Sequence, residues 1–200
     1  AWRKRPGDAV AYEETICEVG CEAQTTIRMD PASDDFFSSP FPSDARRGPD
    51  GRPDIAGFPN PSAIVLVDRV LDVIRADAKG FGVSSGVFFE ATAALDATSL
   101  PSLEDSVKDG ASVFLVGIDP SAPDYLERYP VEVTVREDAS LYGSAHLVSI
   151  LPLQGVPLRP GGHNCLELFG IMPSFSVLHG RFSTSMAPDE PCSKIDYAKL

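Results

Sequence analysis

The chain has 200 residues, 43% of them hydrophobic, and carries a net charge of −12 from 17 basic and 29 acidic side chains. That is enough apolar material for one core. The charge excludes a nucleic-acid partner, which needs a basic face, and adsorption to anionic lipid. No apolar run reaches the roughly 18 residues of a membrane span.

In chain order, Ala1-Trp2-Arg3-Lys4-Arg5-Pro6 is basic but lacks the apolar stretch of an intact signal peptide, so a mature product or a fragment is expected. Residues 1–29 form a polar N-terminal segment without a clear period. From Asp34 to Asp44 runs a loop rich in Phe and Pro, of the kind that packs over a core edge, and Pro49-Asp50-Gly51-Arg52 reads as a tight turn. Asn60 as cap and Pro61 at the first position predict a helix over about 61–79, stopped by Gly80. Ile64, Val67, Leu71 and Ile74 recur at helical spacing, and Leu66, Val70 and Val73 widen the stripe. A stripe this wide is read as core, with a partner groove as the sharper alternative.

After Gly82 the period changes. Val87-Phe88-Phe89, Ser112 to Ile118, Val131 to Arg136 and His146 to Leu151 read as strands, the third with one wet face. Turn-rich segments separate them, as in a sandwich. The expected core is the helix stripe with Val113, Leu115, Val133, Leu147 and Ile150. A further strand is expected at about 174–179, and the last dozen residues read as a tail. The predicted fold is mainly β, with one amphipathic helix and long Pro-rich loops.

Several motifs suggest chemistry. Gly82-Val83-Ser84-Ser85-Gly86 matches G-x-S-x-G, which makes Ser84 a candidate nucleophile with His146, His163 or His179 downstream. A nucleophile elbow needs a strand before the serine and a helix after it, and here the predicted order is reversed. Asp44, Asp50 and Asp54, like Asp30, Asp34 and Asp35, are candidate Ca²⁺ ligands, although their spacing matches no EF-hand and solvated loop carboxylates are the plainer reading. No other cofactor is expected. Gly80-Phe81-Gly82 lacks the third glycine of a phosphate cradle. Cys17, Cys21, Cys165 and Cys192 permit three pairings, with free thiols or a metal site as alternatives. His163 and Cys165 could share a metal, but no second close pair accompanies them.

Phe41-Pro42-Ser43-Asp44, Asp50-Gly51-Arg52-Pro53-Asp54, Gly57-Phe58-Pro59-Asn60-Pro61 and Gly80-Phe81-Gly82 stand in order along the chain. Val87-Phe88-Phe89, Leu95-Asp96, Ser99-Leu100-Pro101, Ser112 to Val116, Ile118-Asp119, Leu151-Pro152 and Pro157-Leu158-Arg159-Pro160-Gly161 follow. As a set, over about 125 residues, they resemble the N-terminal domain of bacterial virulence-factor lipases and the Ig-like modules of surface-layer proteins. The resemblance implies an Ig-like β-sandwich over 30–162. It also implies a lipoprotein-like exported protein, secreted or at the cell surface or in the periplasm, and no catalytic residues inside the module. The implied role is a non-catalytic accessory or structural module whose partner is a neighbouring hydrolase domain or a surface protein. A serine esterase using Ser84 and a Ca²⁺-stabilised structural module are the alternatives. The pattern breaks after Gly161, where Gly162-His163-Asn164-Cys165 replaces the expected Tyr and Val-rich closing strand, so 163–200 is read as a separate C-terminal segment.

Overall fold

The computed structural model describes residues 25–30, 32–168 and 178–183. Among them the chain is mainly β, with seven strands in two antiparallel sheets and one α-helix, α1 (Val65–Asp77). The strands are β1 (Val87–Glu90), β2 (Val113–Gly117), β3 (Arg128–Tyr129), β4 (Val131–Arg136), β5 (Leu147–Pro152), β6 (His163–Leu168) and β7 (Leu178–Ser183). One sheet has the order β1-β5-β4 and the other β3-β2-β6-β7. Pro130 lies between β3 and β4, where the chain leaves the second sheet for the first. A residue without an N–H cannot continue a ladder, which suits it to that corner.

The second sheet runs past residue 162. β6 pairs with β2 and places Leu166 opposite Leu115, and β7 pairs with β6. Of the strand expected at about 174–179, residues 174–177 lie outside the described residues, and 178–179 open β7, which runs on to Ser183. At the other end Ile27 bridges Ala91, and Phe41 bridges Phe88, so both lie against β1.

Inward residues of both sheets meet in one apolar cluster. Val87, Phe89, Val131, Val148 and Ile150 come from the first sheet, Val113 and Leu115 from the second, and Leu158 from the connection after β5. On β4, Val131 is buried while Glu132, Thr134 and Arg136 are exposed, as strict alternation requires. β2 is buried on both faces. Its second face carries Phe114 and Val116, which pack with Ala111, Ile118 and Leu126, and the Arg128 guanidinium lies 4.2 Å over the Phe114 ring. That explains its unbroken apolar run.

The helix departs from its predicted bounds at both ends. Ala63 has φ 48°, in the left-handed region, so an α-helix cannot run through it. Asn60 still organises the entry, because its Oδ1 accepts from Ile64 N (2.9 Å) and its Nδ2 donates to Asp68 Oδ1 (2.8 Å). At the far end Ala78 is extended, and Arg52 reaches in from another loop to donate through Nη1 to the carbonyl of Ala76 (2.5 Å). A guanidinium there satisfies a terminal carbonyl and suits the negative end of the helix dipole. Gly80 therefore does not act as the left-handed cap expected of it.

Candidate functional site

The stripe of α1 read as core is mostly uncovered. Leu71 is buried and Val67 and Ile74 are half-buried, but Leu66 is 70% exposed, Val70 50% and Val73 59%. At about 100° per residue, the apolar positions span nearly half the helix circumference. The protein covers only the side bearing Val67, Leu71 and Ile74. Of the adjoining residues, Leu66 and Val70 are exposed but line an open cleft, while Val73 is exposed outside it.

Beneath that helix lies a cleft of about 660 Å³. Leu66, Val67, Val70, Leu71 and Ile74 form one wall, and Phe41, Pro42, Pro53, Ile55, Phe58 and Phe81 form the rest. The Phe/Pro loop builds its floor by ring packing. Phe36 stacks near Phe41 (centroids 5.0 Å apart) and Phe58 (5.2 Å), and Phe41 meets Phe81 edge-on at 5.6 Å. Arg46 is buried in this loop, with its guanidinium 4.6 Å from the Phe36 ring and Nε donating to Ser39 Oγ (2.8 Å). Among the described residues no ionisable side chain lines the cleft, and Ser85 supplies the one side-chain hydroxyl. The volume falls within the range of clefts that hold small molecules in other proteins.

Ser84 stands in a turn between α1 and β1, so the order around G-x-S-x-G is helix, loop, strand. The surroundings of the two glycines differ in how readily they could yield to a side chain. A Cβ on Gly82 would sit 2.4 Å from Ser85 Oγ, and one on Gly86 would sit 3.0 Å from the Phe88 ring. His146 Nδ1 lies 3.0 Å from Glu137 Oε2. His163 opens β6 and His179 lies in β7.

The acidic candidates close local turns. Asp54 Oδ1 accepts from Ala56 N (3.0 Å), Asp50 Oδ2 lies 3.3 Å from Arg52 Nε, and Asp44 Oδ1 lies 3.7 Å from Arg47 Nη1. Asp30 accepts from Ala32 N (3.2 Å), and Asp35 accepts from Phe37 N (3.0 Å) and the Ser144 hydroxyl (2.6 Å). Among the described residues no three His, Cys, Asp or Glu side chains gather as a metal group. Cys165 lies on β6 opposite Val116, while Cys17, Cys21 and Cys192 lie outside the described residues.

One polar cluster was not signalled by any motif. Arg159 Nε donates to Asp124 Oδ1 (2.7 Å) and its Nη2 to Asp119 Oδ2 (3.0 Å), while the Tyr129 hydroxyl donates to Asp124 Oδ2 (2.7 Å). Burial alone would raise the Asp124 carboxyl, but the hydrogen bonds from Tyr129 and Arg159 outweigh it and hold it below the usual carboxylate range. Burial and the same carboxylate push Tyr129 up to about 12. The cluster ties the β2–β3 hairpin loop to the segment after β5. Gly117 makes this approach possible, since a Cβ there would meet the Asp124 carbonyl oxygen at 2.4 Å.

No family model, no curated protein and no solved structure matches the chain. Among the described residues no helix is long and apolar enough to cross a membrane.

Proposed function

We propose that this chain is a non-catalytic accessory module of an exported bacterial surface protein, an Ig-like β-sandwich that holds a neighbouring hydrolase domain at the cleft under α1. The observation that carries the reading is the uncovered apolar side of α1 beside an apolar cleft, because contiguous exposed patches of this kind mark interaction sites. The strand order supports the Ig-like part. The orders β1-β5-β4 and β3-β2-β6-β7 correspond to B-E-D and C′-C-F-G of that fold, with the bridges from Ile27 and Phe41 standing where strand A would. Fold alone assigns no task, so the role rests on the cleft and on the resemblance.

A photo-crosslinker placed at Val73, in the cells that make the protein, tests this reading. The expected product is an adduct with an exported protein that carries an α/β-hydrolase-type domain. Adducts only with cytoplasmic proteins, or none, would remove the accessory role.

A second reading has one observation in its favour. Gly82 and Ser85 of the G-x-S-x-G pattern line the cleft, which could then hold an acyl group beside Ser84. Against it stands the reversed order of elements. The purified chain is expected not to react with a fluorophosphonate probe. Labelling that disappears in Ser84→Ala would make it a serine hydrolase.

A further inference from the structure

We propose that the open edge of β4 pairs with the same edge of a second copy of this chain, antiparallel about a two-fold axis at Thr134. This contact involves neither α1 nor its cleft. β4 is the outer strand of its sheet, with β5 on one side. Val131 N–H turns away from β5 and donates to Ser106 Oγ (3.0 Å), while Leu153 N–H donates to the carbonyl of Pro130 (2.9 Å). Alternation along an antiparallel pair then directs the backbone groups of Glu132, Thr134 and Arg136 to β5, and those of Val133 and Val135 to the open edge. The loop bearing Ser106 reaches that edge at Val131, and among the described residues no hydrogen bond meets Val133 or Val135 there.

The side chains select the partner. Glu132, Thr134 and Arg136 are exposed in a row, and Val133 and Val135 are half-buried on the other face. Charged side chains on an edge usually keep other strands away. This row carries opposite signs at its two ends, so it complements itself when reversed. A two-fold axis at Thr134 sets Glu132 of each copy opposite Arg136 of the other, and Thr134 opposite itself, as closely spaced non-hydrogen-bonded pairs. The same register sets Val133 opposite Val135 of the other copy, where the two residues exchange both N–H···O=C bonds. It also lays the half-buried valines of one copy beside those of the other. Moving the axis to Glu132 or Arg136 sets like charges face to face, and moving it to Val133 or Val135 forms no Glu132–Arg136 pair.

Such a contact is isologous and closes on itself, using up the edge that each copy offers. An edge of six residues buries too little for a permanent dimer, and the −12 on each copy opposes encounter, so the association is weak and reversible.

The test is sedimentation of the whole chain at up to about 1 mM, in about 0.15 M salt to screen the net charge. A reversible monomer–dimer equilibrium is expected. Glu132→Arg and Arg136→Glu should each weaken it about tenfold, and both together in one chain should restore it, because the exchanged charges again oppose each other across the axis. Both positions are exposed, so the melting temperature of each variant should stay near that of the parent. A chain that stays monomeric throughout overturns the proposal, as does a dimer indifferent to both substitutions. Net charge alone would make Glu132→Arg strengthen the dimer and Arg136→Glu weaken it, and that pattern also overturns the edge pairing. If both single variants weaken the dimer and the double variant does not restore it, the two-fold register at Thr134 is wrong.

Discussion

Phe89→Ala is expected to lower the unfolding free energy by about 4 kcal/mol. Phe89 is 1% exposed, pairs across the first sheet with Val148, and belongs to the same buried cluster as Val113, Leu115 and Leu158 from other elements. Truncation removes the ring's transfer free energy and leaves a cavity that two sheets cannot both close. A domain of this kind has about 5 to 15 kcal/mol in total, so the loss is a large share. In thermal melts the midpoint should fall by roughly 10 °C. Phe88→Ala provides the internal comparison, because Phe88 points to the other face of the same strand and is only half-buried. The two variants differ by one position, so a larger loss from Phe88→Ala than from Phe89→Ala would mean that the core lies on the opposite face of β1.

Asp124→Ala is expected to cost about 2 kcal/mol near neutral pH. Asp124 is 8% exposed and accepts from both Arg159 and Tyr129. Removing it leaves the Tyr129 hydroxyl without that acceptor, while Arg159 keeps Asp119. The pH dependence gives a sharper signature. The folded Asp124 titrates below its ordinary 3.8, so its contribution is complete above that value and is lost as pH falls through the lower folded one. Tyr129 titrates above its ordinary 10.0, so its contribution is complete below 10.0 and is lost as pH rises toward about 12. Stability measured by urea unfolding from pH 2 to 11 should therefore fall at both ends. Asp124→Asn should remove the acid-side loss that comes from this site, and an unaltered acid limb would show that the carboxylate is not held by its partners.

The strands were legible because their signal is local. Alternation on β4 gave both the element and its wet face, and the unbroken apolar run of β2 gave a strand covered on both sides. The expected core on β5 paired Leu147 with Ile150, which a period of two cannot place on one face. The buried pair is Val148 and Ile150, and Leu147 is half-buried. The helix was legible as an element, but its boundaries depended on other parts of the chain. The break at Ala63 and the carbonyl bond from Arg52 are tertiary facts that cap residues do not reveal. The cleft was present in the sequence as width. An apolar arc near half the circumference exceeds what a helix lying on one surface needs, which favours the partner-groove alternative over the core reading for its outer side. The Asp119, Asp124, Tyr129 and Arg159 cluster left no trace because its members are up to 40 residues apart and carry no spacing rule.

The anchoring of α1 also bears on how the molecule moves. Asn60 bonds its first turn, Arg52 bonds its last carbonyls, and between them only Leu71 is buried. Such an element can open as its own cooperative unit, far below the free energy needed to part the sheets. Its amides should then exchange with solvent well before those of β2 and β5. The cleft can widen for an occupant larger than its resting shape while the two sheets stay closed.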